Sequence, residues 1–539
     1  MADAQIKIGS PHEKSMPQSI SKKIRKYTTP GLQELRGEIL QEEANEMESY
    51  VRHIKESWPC TGCSIVLDGW VDKKGRKLVN FLVDCPKGVI YLQSSDISDL
   101  VGDVDGLLLF FEGVIKEVGF ENVIQIVTDS TSDDMVAVGK QLREKHHFVF
   151  WTVSASHCIE LILDKIADMD LTRQILDKAK SITRLIHRDE AVLKLMRNHT
   201  CGRDLFKPSK CRSVMCFCTL ENMVREKQSL QKMFISSEWV TMNLASTTEG
   251  KRVAAIVDDS CFWSGAKGVL KATVPLIHLM HLIHNSDRPL MAYIYEMMDQ
   301  AKERIKRKFN DKETDYSKFW EVIDGIWNSY LHSPLHAAGY YLNPSYFYSG
   351  NFFIDAEVAA GLLCCVVRLT GSFREGSSDD QKNVFLPAVW WSKHGGQHPE
   401  LQKMAIRILS QTCDGALKYN LNRTLAEKLL TKGRNQIEQQ RPMDEARVHY
   451  NLHLRHFETD INCDTLFAEI EPMDDWIVNE QPGFHQNIMA KNKSARSMNH
   501  AASFQSSGKN KEELKSKIIE AIKFLRVVLS QAVGAPISG

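Results

Sequence analysis

The sequence predicts an α/β chain in which a mixed β-sheet is followed by a long helical segment. Between residues 63 and 153, short apolar strands alternate first with turn-prone residues and then with helical segments. From Leu171 to about Arg374, long segments carry apolar residues at helical spacing, and no convincing strand pattern interrupts them. Hydrophobic residues make up 43% and charged residues 25% of the 539 residues, which is the balance of an ordinary globular protein.

The predicted sheet combines antiparallel and parallel strands. The first three strands are joined by short turns such as Lys74-Gly75, which indicates an antiparallel meander. Helices at about 102–118 and 133–145 precede the last two strands, and such crossovers join parallel strands. The five predicted strands are 64–68, 78–85, 88–96, 123–129 and 148–153.

Two aspartates end apolar strands in the same way. Asp68 follows the run Ser64 to Leu67, and Asp129 follows IQIVT, 129 − 68 = 61 residues later. In a meander followed by one crossover, the first and fourth strands can lie side by side, which brings both aspartates to one sheet edge. Mg²⁺ and Mn²⁺ prefer oxygen ligands, and two such ions about 4 Å apart support phosphodiester chemistry. This arrangement is ribonuclease H-like, and a simple Asp-Gly turn at Asp68 is the structural alternative.

Charge and cysteine content narrow the possible functions. Lys+Arg and Asp+Glu both number 68, so the zero net charge argues against tight DNA binding by the chain alone. Neither a membrane-spanning run nor the apolar core of a signal peptide is present, so an intracellular protein without a membrane partner is expected. The 13 cysteines suit reduced, buried thiols. The pair Cys60 and Cys63 has no second pair at finger spacing, so no zinc site is expected. A redox pair would follow a strand and open a helix, whereas this pair precedes a strand, so no redox site is expected either.

The C-terminal part of the sequence carries further helical segments and a polar tail. PELQKMAIRILSQT, 399–412, is an amphipathic helix, and the later segments RTLAEKLL and VHYNLHLR, 448–455, add apolar surface. The polar tract after residue 457 is expected to be disordered up to a final amphipathic helix around 511–532.

The sequence resembles plant hAT-family transposase-like proteins over roughly residues 28–456. The matching segments, in chain order, are TTPGLQELRGEIL, IVLDGWVDKKGRKLVNFLVDCPKGVIYLQS, IQIVTDSTSD, PLHAAGYYLNPSYFY, WWSKHGG, PELQKMAIRILSQT, RNQIEQQR and VHYNLHLR. The resemblance implies a ribonuclease H-like domain interrupted by a large all-α insertion, with a DDE triad that binds two metals. The implied division is a polar tail (1–27), the first part of the ribonuclease H-like domain (28–170), the helical insertion (171–385), the hAT C-terminal dimerisation segment (386–456) and a mostly disordered tail with a terminal helix (457–539).

The sequence departs from the family pattern at three places. No zinc-binding BED finger precedes Thr28, and the Cys-x-x-His pattern is Ser154-Ala155-Ser156-His157, so that only His157 matches. The third carboxylate of the triad is expected near Lys418 or Tyr419, where no acid stands. A lysine there would repel a metal ion.

Two other acids stand near the expected position of the third carboxylate. If this segment is helical, Asp414 and Glu427 are offset from that position by about a turn or more. One alternative function is nevertheless a metal-dependent DNA transposase or nuclease that uses Asp68, Asp129 and a substitute Glu427. Another is a DNA-binding regulator that acts through the basic helix face Lys302 to Lys308.

We therefore predict a domesticated or decayed hAT transposase-like protein that is not an enzyme. Asp68 and Asp129 are vestigial catalytic residues that hold at most a weakly bound Mg²⁺, and no cofactor is required. The expected activity is dimerisation, either with itself or with related hAT proteins, in nuclear complexes that contact DNA indirectly. The residues predicted for the dimer contact are Leu401, Met404, Ile408, Leu409, Leu425 and Leu429.

Overall fold

Five strands form one mixed sheet in the order β3-β2-β1-β4-β5. The strands are β1 (Cys63–Val71), β2 (Lys77–Cys85), β3 (Gly88–Asp96), β4 (Val123–Thr128) and β5 (Phe150–Val153). β2 pairs antiparallel with β1 and β3, whereas β4 pairs in parallel with β1 and β5. The predicted mixed sheet is therefore confirmed.

This computed structural model describes residues 39–206, 213–286, 289–347, 352–369, 387–396, 399–430 and 436–459. The predicted polar tail 1–27, nearly all of the predicted tail 457–539 and its helix at 511–532 lie outside these ranges. Within the described ranges, no helix is long and apolar enough to cross a membrane.

The strand β1 continues beyond its predicted end at Asp68. Asp68 pairs with Asn80, and Gly69 pairs with Val79, because β2 still lies alongside after the pairing with β4 has stopped. The alternative of an Asp-Gly turn at Asp68 is therefore wrong.

The two faces of the sheet are covered by different parts of the chain. Side chains alternate along β1, so Ile65 and Leu67 point to one face, and Ser64, Val66 and Asp68 point to the other. Ile65 and Leu67 share a core with four early helices. These helices are α1 (Leu40–Lys55), α2 (Trp58–Thr61), α3 (Val104–Val118) and α4 (Asp133–Lys145).

The helices that follow β5 form a second, larger hydrophobic core. The long helix α13 packs against α5, α6, α8 and α14, and its side chains Phe262 and Trp263 are almost fully buried. The helices are α5 (Ala155–Asp168), α6 (Asp170–Arg188), α7 (Glu190–His199), α8 (Ser213–Arg225), α9 (Lys227–Phe234), α10 (Ser237–Val240), α11 (Asn243–Ser246), α12 (Thr248–Asp258), α13 (Ser260–His284), α14 (Ile294–Lys308), α15 (Glu313–Ile326), α16 (Pro334–Leu342), α17 (Pro344–Phe347) and α18 (Ala356–Leu369), with a π-helical turn at Trp327–Leu331.

The C-terminal segment returns to the sheet face that carries Asp68. Its elements are α19 (Pro387–His394), α20 (Pro399–Leu409), a 3₁₀ turn (Ala416–Tyr419), α21 (Arg423–Leu429) and α22 (Gln436–Thr459). α22 packs on the edge strand β3, where the rings of Tyr450 and Tyr91 lie 4.6 Å apart. The side chain of Asn451 accepts the N–H of Tyr91 at 2.8 Å and donates to its carbonyl at 3.4 Å.

Buried hydrogen bonds attach the loop after α20 to the sheet. Gln411 accepts a hydrogen bond from the Ser64 hydroxyl at 2.8 Å and donates to the Thr61 carbonyl at 2.9 Å. Gln125 of β4 donates to Ser64 at 2.9 Å and to the Thr412 carbonyl at 2.6 Å. Because Ser64, Gln125 and Gln411 are at most 1% exposed, water does not satisfy these groups.

Replacing Gln411 by alanine should lower the free energy of unfolding by about 2–3 kcal/mol, because it leaves buried partners without hydrogen bonds. Urea unfolding followed by circular dichroism measures the loss. Gln300→Ala is the matched control, since Gln300 is exposed and donates only to Glu296 one helical turn away. Equal losses in the two variants would contradict this role of Gln411.

Candidate functional site

Asp68 and Asp129 occupy equivalent positions on neighbouring parallel strands. The last registered pair between β1 and β4 is Val66 with Val127. Asp68 lies two residues further along β1, and Asp129 lies two residues beyond Val127, directly after the end of β4. The predicted pairing of the first strand with the fourth, which places the two aspartates on adjacent strands, is therefore confirmed. The assignment of the two side chains as metal ligands stays a prediction.

The carboxylate of Asp68 is bound by a guanidinium group from the C-terminal segment. Arg423, the first residue of α21, brings Nη2 to 2.5 Å and Nε to 3.1 Å from Asp68 Oδ1. Asn80 donates to the other oxygen at 3.0 Å. Asp68 is 2% exposed, so its charge is compensated inside the protein and not by water. The guanidinium also lies over the ring of Trp70, 5.4 Å from its centre.

Asp129 lies in a different environment from Asp68. Both of its carboxylate oxygens are buried, and neither has a hydrogen-bond partner in the part of the chain that the structure describes. A Cβ atom on Gly415 would overlap this carboxylate, so the backbone of the C-terminal segment lies directly against it. Burial raises the pKa of Asp129 to about 7, and the nearby charges of Asp414 and Asp68 contribute to the rise.

Asp414 supplies the carboxylate whose charge acts most strongly on Asp129. It is 3% exposed, and its Oδ1 accepts hydrogen bonds from the hydroxyls of Ser154, at 3.2 Å, and Ser156. His284 Nδ1 lies 3.8 Å from its other oxygen. Helical spacing would place Asp414 about a turn or more from the position of the third carboxylate, but residues 410–415 form no helix, so that spacing does not apply.

The expected position of the third carboxylate holds side chains that bind another acid. Tyr419 donates its hydroxyl to Asp84 Oδ2 at 2.5 Å, and Lys418 Nζ lies 3.8 Å from the same oxygen. Asp84 is buried on β2, where burial raises the pKa of its carboxyl group and the Lys418 charge opposes the rise.

Glu427, the substitute ligand considered from the sequence, is bound at the hairpin between β1 and β2. Its carboxylate accepts a hydrogen bond from Trp70 Nε1 at 3.1 Å. Arg76 of the same hairpin donates to the carbonyls of Glu427, at 3.0 Å, and Leu430, at 2.5 Å. Arg76 is in turn held by Asp72 at 2.8 Å.

The side chains around Asp68 and Asp129 do not fit a two-metal centre. Both oxygens of Asp68 already bind donor groups, and Lys418 adds a cation at the third position. In the described ranges, no three His, Cys, Asp or Glu side chains are arranged to hold a metal ion. A metal-bound state would therefore require Arg423 to move.

His157 lies in the first turn of α5, and its N–H donates to Ser154 Oγ at 3.3 Å. Its ring Nε2 is buried without a hydrogen-bond partner in the described part of the chain, and burial lowers the pKa of the ring. Ser154, which stands where the family has cysteine, thus caps α5 and also donates to Asp414. Sequence reasoning missed this role, although a serine directly before a helix is a cap signal.

The predicted dimer residues divide into two groups. Met404, Ile408 and Leu409 are at most 3% exposed and lie in the helical core of the same chain. Their predicted contact with a partner subunit is therefore wrong for this fold, because the amphipathic face of α20 is already covered. Leu401, Leu425 and Leu429 are only partly buried.

The raised pKa of Asp129 predicts a pH-dependent stability. Its carboxyl group binds a proton more tightly in the folded than in the unfolded chain, so stability should fall as the pH rises from about 4 to about 7. Asp129→Asn removes this term. As the pH rises over this range, the free energy of unfolding of the variant should increase relative to that of the wild type by up to about 1.4 kcal/mol per pH unit. Urea unfolding at several pH values measures the difference. Parallel pH profiles would contradict the prediction, and the exposed Asp133→Asn serves as the control.

Two family models match the chain. Residues 30–182 match a domain of unknown function (DUF659), which is found in hAT-family transposase-like proteins. Residues 372–446 match the hAT family C-terminal dimerisation region, which includes α20, Gly415 and α21. No curated protein matches the chain significantly. The two matches lie in the order that the sequence resemblance implied, and together they support a hAT transposase-like protein with a match to the dimerisation region of this family.

Proposed function

We propose that this protein acts by association with other protein chains and does not carry out metal-dependent strand transfer. The observation that carries the proposal is the ion pair between Arg423 and Asp68. This ion pair places the permanent positive charge of Arg423 on the carboxylate that a catalytic metal ion would need as a ligand.

The sheet supports the ribonuclease H-like part of the proposal. A meander of three antiparallel strands is extended by two parallel strands on the side of β1, and the large set of helices follows β5. Asp68 and Asp129 lie at adjacent positions on β1 and after β4, as such a domain requires for its first two carboxylates.

The proposed loss of metal-dependent catalysis follows from the positive charges near the carboxylates. Two metal ions need several carboxylate oxygens directed at one space, and each ion repels a nearby cation. Arg423 neutralises Asp68, and Lys418 lies near Asp84 at the position expected for the third carboxylate. Asp414 is close to Asp129 but already accepts hydrogen bonds from Ser154 and Ser156. We therefore propose a domesticated or decayed transposase that requires no cofactor.

The association surface is proposed to include the half-buried leucines of the C-terminal segment. Leu425 and Leu429 contact the small core formed with Tyr450, and Leu401 lies at the margin of the helical core. The match to the dimerisation region covers all three leucines. The partner would be a second copy or a related hAT protein, and a stable contact would bury on the order of 2,000 Å².

DNA contact is proposed to be indirect, in nuclear complexes. The alternative of a basic face at Lys302 to Lys308 is weakened at Lys302, whose Nζ lies 2.5 Å from Asp324 Oδ1 and 4.7 Å from the centre of the Trp320 ring. With zero net charge, the chain lacks the basic excess of an autonomous DNA-binding protein.

Purified protein should neither nick nor join DNA above background in Mg²⁺ or Mn²⁺, and Asp68→Ala should leave the signal unchanged. Gel assays on supercoiled plasmid provide the measurement, with heat-denatured protein as the background. Metal-dependent cleavage that Asp68→Ala abolishes would overturn the inactive assignment. Asp414→Asn and Glu427→Gln would then identify the third carboxylate.

The wild type should sediment as a dimer at micromolar concentration, whereas Leu429→Glu should give a folded monomer, because a charge in an apolar contact costs several kcal/mol. The exposed neighbour Lys428→Glu is the matched control and should remain dimeric. Met404→Glu should instead unfold the chain, since Met404 lies in its own core. A monomeric wild type that no related hAT protein captures would refute association.

A further inference from the structure

Two cysteines lie opposite each other at the open end of the hairpin formed by β1 and β2. Ser64 pairs with Asp84 across these antiparallel strands, and the next residues outward are Cys63 on β1 and Cys85 on β2. Both side chains belong to the same hydrophobic core, and both thiols are free. Since 85 − 63 = 22 residues separate the two cysteines, no local spacing pattern in the sequence indicates this pair.

The two cysteines form the closely spaced type of antiparallel pair. The backbone N–H of Cys63 donates to the Asn122 carbonyl at 2.8 Å, on the side of β4. Cys85 is paired with Gly88 on its other side, across the turn to β3. The backbone hydrogen-bonding groups of the two cysteines therefore point away from each other. In such a pair the Cα atoms lie about 4.5 Å apart, within the range of roughly 4.4–6.8 Å that a disulfide spans.

Weak polar contacts hold the two sulfur atoms in the reduced protein. Cys63 Sγ donates to the Asn122 carbonyl at 3.5 Å. Cys85 Sγ lies 3.6 Å from Ser57 Oγ and donates to the Gly88 carbonyl at 3.4 Å. Burial raises the pKa of both thiols, and the nearby Cys85 raises the pKa of Cys63 further. Both thiols therefore stay protonated until water reaches one of them.

Cys85 is the thiol that solvent reaches first. It is the last residue of β2 and directly precedes Pro86 and Lys87, which are exposed in the turn to β3. Cys85 is 4% exposed, whereas Cys63 is 0% exposed. Local opening of a turn costs less free energy than opening of a central strand. Opening of this turn would therefore hydrate the Cys85 thiol while Cys63 stays covered.

We propose that Cys63 and Cys85 form a site of reversible oxidation, at which hydrogen peroxide converts the two thiols into a disulfide between β1 and β2. The Cys85 thiolate attacks the peroxide, so that an S–O bond forms, the O–O bond breaks and one water molecule leaves. The Cys63 sulfur then attacks the sulfenic acid. The S–S bond forms, the S–O bond breaks, and the hydroxyl group leaves with the thiol proton as a second water molecule. The two thiols thus supply the two electrons that reduce the peroxide.

The disulfide would close the open end of the hairpin covalently. The other end of the same hairpin binds α21, because Trp70 donates to Glu427 and Arg76 donates to the last carbonyls of the helix. A covalent bond between β1 and β2 restricts the unfolded chain, so the oxidised protein should unfold less readily than the reduced protein. This inference goes beyond the proposed function and does not depend on whether the chain associates.

Hydrogen peroxide is the probe, and mass spectrometry of tryptic peptides after alkylation of the remaining thiols is the measurement. The oxidised wild type should yield the Cys85 peptide linked to the peptide that contains Cys60 and Cys63, and dithiothreitol should separate the two peptides. Cys63→Ser should lose the link. Cys60→Ser is the matched control and should keep it, since Cys60 lies on the same tryptic peptide but packs against the helical core.

A second comparison uses the wild type and does not depend on whether a variant folds. In urea, the shorter loop between Cys60 and Cys63 favours a bond within that peptide, so the link to Cys85 should fall at least about fivefold relative to the folded protein. The oxidised protein should also unfold at a higher urea concentration than the reduced protein. No link in the folded wild type, a link that persists in Cys63→Ser, equal yields with and without urea, or an unchanged unfolding midpoint would overturn the proposal.

Discussion

The polar side chains on one face of β1 constrain the whole structure. Ser64 and Asp68 point to the side of the sheet opposite α3, and both are almost completely buried. Such groups need partners from the protein, because water does not reach them. The partners come from residues more than three hundred positions later, Gln411 for Ser64 and Arg423 for Asp68. The sheet and the C-terminal segment therefore form one structural unit despite the helices between them.

This constraint also explains why the carboxylates of Asp68 and Asp129 have different surroundings. Asp68 receives a guanidinium and an amide, so its carboxylate is compensated at both oxygens. Asp129 receives neither, and Gly415 covers it with backbone. Two acids at equivalent strand positions thus differ in charge compensation because different residues of one segment lie over them. Strand position alone does not determine the chemistry of a carboxylate.

The sheet could be predicted because its signals are local. Apolar strands, turn residues and helical spacing lie within short windows, and the two aspartates follow their strands directly. The partner of Asp68 could not be predicted, because nothing in the sequence near Asp68 indicates Arg423. The face of α20 was misassigned for a related reason. An apolar helix face, such as that of Met404 and Ile408, shows that something covers it, but not whether the cover belongs to the same chain.

The amide of Asn451 has a consequence for how copies of this protein can meet. An edge strand normally offers its unpaired N–H and C=O groups to any extended chain. At Tyr91 both the N–H and the C=O group of β3 are occupied by one side chain from α22, and the helix packs on the strand. Growth of the sheet from one molecule into the next is therefore blocked on this side. Copies that meet at this face would therefore contact each other through α22 and not through pairing of their β3 strands.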